Sequence, residues 1–209
     1  MNTKAEKTFK FIVAPVGIIL AVLALIYGAF LPFRKSQLFI QAMRQSREVT
    51  SVVNYMDTFN RALDFSSPAG HAEDIRFLEN QIGGVIAQKP PQEIADALVA
   101  YADSVSRVSK SGSYALNYVQ EVVILGNIHA TNFRNYKEKR DYDAALALFQ
   151  GGLTLSPNRP QFLYGLLQLF MDAGESENAK EVARKILSIW PGDKNVAAIM
   201  DGGNATSTK

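Results

Sequence analysis

The sequence predicts an all-α protein in which one N-terminal transmembrane helix leads into an α-solenoid of stacked helical hairpins. Three observations carry this reading. First, Phe11 to Phe33 is a run of 23 residues without a charge. Second, helical periodicity is nearly continuous after residue 34, and strand signals are nearly absent. Third, Tyr142, Ala145, Phe149, Leu153 and Pro157 reappear as Ser176, Ala179, Ala183, Leu187 and Pro191, every pair 34 residues apart. A fixed period of that length, with an A-x₃-F step and a proline stop, belongs to a helix–turn–helix repeat.

Composition narrows the function classes. The chain of 209 residues has no cysteine, so disulfides, thiolate metal sites and cysteine nucleophiles are ruled out. Its formal net charge is +2. Setting aside Lys4, Lys7, Lys10 and Glu6 leaves equal numbers of basic and acidic residues, so charge supplies no reason to expect nucleic acid.

Residues 1–10 read as a basic N-terminal tail and residues 11–33 as the span through which the chain enters the lipid bilayer. At about 1.5 Å per residue, this run crosses a hydrocarbon core of about 30 Å. Pro15 falls in the first turn of the span and Pro32 closes it. A cleaved signal would have a shorter apolar stretch and a small-residue exit. Here the run leaves through Leu31-Pro32-Phe33-Arg34-Lys35, which favours an uncleaved anchor. Cations flank both ends: Lys4, Lys7 and Lys10 before it, and Arg34, Lys35, Arg44 and Arg47 after it. Charge bias therefore nearly ties. A short basic N-terminus followed at once by a span is the layout of a signal anchor, with the N-terminus cytoplasmic and the helical body outside the cytoplasm.

Residues 34–110 read as degenerate helical hairpins. One helix runs from Ser36 to about Arg47, with Phe39, Ile40 and Met43 on one side. A second, Val49 to Phe65, carries Val52, Val53, Met56, Phe59, Ala62 and Leu63, and Ser66 to Gly70 forms a turn. A third, about Ala72 to Gln88, turns Ile75, Leu78, Ile82, Val85 and Ile86 inward; its Gly83-Gly84 pair marks either a close crossing or a kink. After Lys89-Pro90-Pro91 a fourth helix covers Gln92 to Val108, and Ser109 to Ser113 is a linker. Residues 113–200 hold the repeats and a capping helix. A long helix from Tyr114 to about Lys139 feeds the first repeat, and a short amphipathic piece from Val196 to Met200 caps the stack. Residues 201–209 are small and polar, as in a disordered tail. Asn204-Ala205-Thr206 there fits a glycosylation acceptor, a weak three-residue match.

Within the repeats, Tyr142, Ala145, Leu146, Phe149 and Leu153 make one apolar stripe, and Leu163, Leu166, Leu167 and Phe170 a second. The small Ala145 and Ala179 admit close helix approach, while Phe149 fills the space between turns. Pro157 and Pro191 stop helices, and Pro160 suits a first helical turn.

The residues offer no catalytic constellation, no cofactor signature and no metal-ligand spacing. His71 and His129 stand far apart, each read as a structural histidine. The acidic pairs Glu73-Asp74 and Asp141/Asp143 oppose helix N-terminal dipoles. Lys137-Glu138-Lys139-Arg140 is a solvated charge run at a helix end. What stacked repeats do offer is a groove. Counting back from Pro157 places Asn127, Arg134 and Lys137 on it, and in the second repeat Gln161, Tyr164, Gln168 and Met171. Polar, aromatic and flexible groups of this kind suit a peptide or a glycan.

Residues 141–191 thus resemble tetratricopeptide repeats. A narrower resemblance covers more of the chain. Leu31-Pro32-Phe33-Arg34, Phe59-Asn60-Arg61-Ala62-Leu63-Asp64-Phe65, Ser67-Pro68 with Gly70, Asp141-Tyr142 with Ala145-Leu146, and Leu155 to Gln161 resemble the C-terminal end of bacterial O-antigen ligase family membrane proteins. There a last span leads into a helical repeat tail, and the active residues lie in a large extracytoplasmic loop. This chain has one span and no such loop, so no catalytic residue carries over. The resemblance implies a membrane-anchored interaction or scaffold module in cell-surface polysaccharide assembly, with a protein or peptide partner. The alternative it implies is the C-terminal, non-catalytic portion of an O-antigen ligase-like or polymerase-like glycan transferase.

Overall fold

The computed structural model describes residues 3–46, 51–106 and 119–200, the side chains of residues 3–12 excepted. The described chain is all-α. The linker at 109–113, the start of the long helix at Tyr114 and the tail after Met200 lie outside these residues. Two compact units emerge, Met1–Ile75 and Arg76–Lys209, the division falling inside the 34–110 stretch.

In the first unit, helix α1 (Thr3–Leu25), a π-helical turn (Ile26–Phe30) and α2 (Leu31–Gln45) form one continuous helix. Val13–Gln45 is long and apolar enough, in part of its length, to cross a membrane. Neither proline behaves as the sequence reading expects. Pro15 lies inside α1, which begins at Thr3, rather than in a first turn. Pro32 does not close the helix. Its ring removes one donor and crowds the carbonyl four residues back. The π-helical turn absorbs this, since the Leu31 N–H donates to the Ile26 carbonyl, five residues back.

The helix α3 (Val52–Leu63) packs against α2, and Phe39 meets Phe59 with ring centroids 5.6 Å apart. The buried stripe of α2 is Lys35, Phe39 and Ala42, at i, i+4, i+7 spacing, while Ile40 turns outward. On α3, Phe59, Ala62 and Leu63 are buried and Val53 is exposed. Lys35, read from sequence as a flanking cation at the span's end, is 2 % exposed. Its Nζ donates to the carbonyls of Leu63 at 3.2 Å and Phe65 at 2.8 Å, and lies 4.0 Å from an Asp74 carboxylate oxygen. Lysine thus fills the role of a C-cap for α3, satisfying carbonyls that a helix end leaves open. Burial pushes the Asp74 carboxyl up to about 6, Lys35 opposing the rise and Glu73 adding to it.

Helix α4 (His71–Ile86) starts after Gly70, whose φ of 94° requires glycine. In it Ile75, Leu78, Ile82 and Ile86 are fully buried, and the helix runs unbroken through Gly83-Gly84. Gly83 faces Ile128, and a Cβ there would sit at an ordinary 3.5 Å.

The second unit continues with α5 (Gln92–Val105), α6 (Val119–Tyr136), α7 (Lys139–Leu155), α8 (Pro160–Ala173), α9 (Ser176–Ile189) and the cap α10 (Lys194–Met200). Each packs on the next, and α6 also touches α8, the contact pattern of stacked hairpins. The repeat register is borne out in burial: Ala145, Phe149, Ala179, Ala183 and Ile186 are all in the core. The glycines decide how closely the helices meet. Phe149 is fully buried between Gly126 of α6 and Gly165 of α8, where added Cβ atoms would lie 2.6 and 2.7 Å from its ring. Gly152 of α7 likewise receives the ring of Phe162 from α8, with no room for a methyl group. Two rings thus interlock with three glycines across three helices. Pro160 opens α8 as expected, and Gly174 closes it in the left-handed conformation at φ 76°.

Helix α6 ends at Tyr136, three residues before the expected Lys139, because Lys137 adopts φ 61° and breaks the helical path. The charge run is therefore split: Lys137 and Glu138 form the turn, and Lys139 and Arg140 open α7. The Tyr136 hydroxyl donates to the Pro90 carbonyl and Asn135 donates to the Ile86 carbonyl at 2.7 Å, tying this turn to the end of α4.

Candidate functional site

The seven residues expected to line a groove lie on two packed helices, α6 and α8, and on the turn that joins α6 to α7. Asn127 and Arg134 stand two turns apart on α6; Gln161, Tyr164, Gln168 and Met171 follow i, i+3, i+7, i+10 along α8. All are exposed except Met171, which is half-buried. Three of them converge on Asp172. Arg134 Nε meets one carboxylate oxygen at 2.7 Å, Gln168 Nε2 meets the other at 3.0 Å, and Lys137 Nζ donates to the Asp172 carbonyl at 2.7 Å. Lys137 also lies 5.0 Å over the Phe133 ring, so its strained backbone serves a defined side-chain position.

The Arg134–Asp172 pair is open to solvent and contributes at most about 1 kcal/mol to the fold. Its effect is to orient: two cations and an amide are held on one face in fixed rotamers. Asp172 escaped sequence reasoning because its counterpart one repeat earlier is Glu138, a turn residue. Tyr164 is occupied differently. Its hydroxyl donates to Asp193, which holds its proton up to about 12, and its ring stacks on Trp190 at 6.3 Å. Asp193 in turn caps α10 through the N–H groups of Asn195 and Val196, at 3.0 and 3.1 Å. Tyr164 therefore ties α8 to the cap.

A cavity of about 440 Å³ lies elsewhere, among α7, α8 and α9. Leu146 and Leu153, Leu163 and Leu166, and Val182 and Lys185 line it, and none of the seven expected residues does.

A buried polar network, read from sequence only as scattered residues, links α5, α6 and α7. His129 is 4 % exposed. Its Nδ1 lies 2.9 Å from Asp141 Oδ1, and its Nε2 lies 3.1 Å from Asp103 Oδ1. Asn132 donates to Asp141 at 2.8 Å and to Asp96 at 3.2 Å, and Arg140 reaches both carboxylates. Burial by itself would lower the imidazole pKa. The hydrogen bonds and charges of Asp103 and Asp141 outweigh it and hold His129 up to about 9, so the ring is an imidazolium at neutral pH. Burial would raise the Asp141 carboxyl, but His129, Asn132 and Arg140 overcome it and hold the group below its ordinary value.

Asp141 does stand in the first turn of α7, as the helix-start reading expects, and it is in addition fully buried beneath three donors. A signal was present in the register. One repeat later the equivalents of His129 and Asn132 are Leu163 and Leu166, so the first repeat carries polar groups where the second is apolar. The network clamps three helices. Among the described residues, no cluster of histidine and acidic side chains is arranged to hold a metal ion.

No curated protein and no solved structure matched the chain. A family model did match, and it covers the α7–α10 hairpins together with the turn that carries Lys137: residues 137–201 match the tetratricopeptide repeat family.

Proposed function

We propose that this chain is a membrane-anchored interaction module, with residues 11–33 in the bilayer and the α6/α8 face receiving an extended segment of a protein partner. The observation that carries this is the preset face itself: Asp172 holds Arg134, Lys137 and Gln168 beside the exposed Asn127 and Gln161. Side chains ordered before binding lose less entropy on binding. Tetratricopeptide repeats generally mediate protein–protein contacts, which supports a protein rather than a small molecule. The finer reading places the module outside the cytoplasm in cell-surface polysaccharide assembly. Its support is the resemblance of the span exit and the repeat motifs to O-antigen ligase tails.

The test is site-specific photo-crosslinking in cells, with the reactive side chain at Asn127, at Gln161 or at Arg184 on α9. A single protein captured from both Asn127 and Gln161, and not from Arg184, is the expected result. Capture should disappear in an Asn127→Ala, Gln161→Ala, Gln168→Ala chain that keeps its helicity. A partner captured equally in that variant would show that the body is a passive tail. Tyr164 is left intact because it holds the α10 cap.

A further inference from the structure

We infer that the turn at residues 64–70 is a second membrane contact, seated in the lipid headgroup layer beside the span; this rests on the reading of residues 11–33 as the anchor. The helix carrying the apolar run continues without a break into α2, so positions along it measure distance from the bilayer. Lys35 stands two residues past Phe33, a rise of about 3 Å. Side chains of a helix tilt toward its N-terminus, here toward the membrane. The Lys35 Nζ therefore lies near the end of the apolar run, and the carbonyls of Leu63 and Phe65 that it binds lie there with it.

The pairing of α2 with α3 extends the argument. Phe39 meets Phe59, and Lys35 meets Leu63, so the two helices run antiparallel, four residues against four. Carried on, this register brings Phe65 and Ser66 level with Phe33 and Pro32, and the turn doubles back from there, Gly70 lying against the Lys35 side chain. The run records the approach. Every residue from Val13 to Phe30 is exposed, whereas Leu31 and Pro32 are half-buried.

The composition of the turn fits that position. Past the exposed Asp64 at its start, Phe65 to Gly70 carries no charge, Ser66, Pro68 and Ala69 are exposed, and Phe65 is half-buried. The aromatic residues Tyr27, Phe30 and Phe33 are exposed on the neighbouring helix, where the interfacial belt of a span belongs. Within this unit the helical hairpin thus comes back down to the bilayer instead of standing away from it, and the anchor holds it at two points.

The natural absence of cysteine permits a direct test with the full-length chain in phosphatidylcholine vesicles. Ser66→Cys, Ala69→Cys, Ile19→Cys and Gln45→Cys are each labelled with a fluorophore and mixed with lipid bearing a nitroxide at the headgroup or in mid-chain. The labels at 66 and 69 should lose most of their emission to the headgroup nitroxide, the label at 19 to the mid-chain nitroxide, and the label at 45 to neither. Labels at 66 and 69 quenched no more than the one at 45, with 19 still quenched, would overturn the second contact and leave the anchor standing. A label at 19 untouched by either nitroxide would overturn the anchor, and the second contact with it.

Discussion

Phe149 and Gly165 make a quantitative test of how the hairpins interlock. Phe149 is fully buried, and its replacement by alanine should cost about 3–5 kcal/mol, transfer and cavity terms together. In a body of this size that corresponds to a fall in melting midpoint of about 10 °C. Gly165→Ala should also destabilise, since its new methyl would lie 2.7 Å from the Phe149 ring. Overpacking of this kind costs about 1–3 kcal/mol. In the Phe149→Ala background, however, the ring is gone. The same Gly165→Ala change then enters an empty space and gains about 1 kcal/mol of helix propensity. The effect of one methyl group should therefore reverse sign, giving a coupling of about 2–4 kcal/mol. Urea unfolding of the purified chain in detergent, followed by circular dichroism, measures all four corners of the cycle. Effects that add to within about 0.5 kcal/mol would mean that the two positions do not touch. The interlocking of ring and glycine would then be wrong.

Stability should depend on pH through His129. Its pKa is raised from 6.5 to about 9 in the fold, so the contribution is complete below about pH 6.5 and is lost as pH rises through 9. The loss is on the order of 3 kcal/mol, and it should vanish from the unfolding curves of His129→Leu. At neutral pH that variant leaves the buried Asp141 with only Asn132 and Arg140 and should cost about 3 kcal/mol, with His129→Leu combined with Asp141→Asn recovering part of it in the same denaturation assay. Lys35→Met should leave the Leu63 and Phe65 carbonyls without their donor and Asp74 without its neighbouring cation, at a cost on the order of 3 kcal/mol. A denaturation midpoint unchanged from wild type would refute its role as a cap. Finally, the full-length chain should stay in the membrane pellet after alkaline carbonate washing, and release at full length or with the first 30 or so residues missing would refute anchoring.

Much of the architecture is legible in the sequence because it depends on local periodicity. The apolar run, the helical stripes and the interval between Ala145 and Ala179 follow from spacing along one chain. So does the placement of Pro160 at a helix start, where its missing donor costs nothing. The same local logic placed Asn127, Arg134, Gln161 and Gln168 on exposed helix faces. It failed where a residue's state is set by a partner distant in sequence. Lys35 reads as an interfacial cation until α3 returns to place two carbonyls beside it. His129 reads as a structural histidine without partners and Asp141 as a helix-start acid until α5, α6 and α7 pack and join them. Pro32 reads as a stop, and only the shifted hydrogen bond from Leu31 to Ile26 shows how the helix passes it. Gly126 and Gly165 carry no signal in the spacing, yet the ring of Phe149 needs both. Periodicity tells each helix which side faces inward. Which atoms meet there is decided by packing, because a buried charge or a ring edge takes its energy from neighbours that only the tertiary fold supplies.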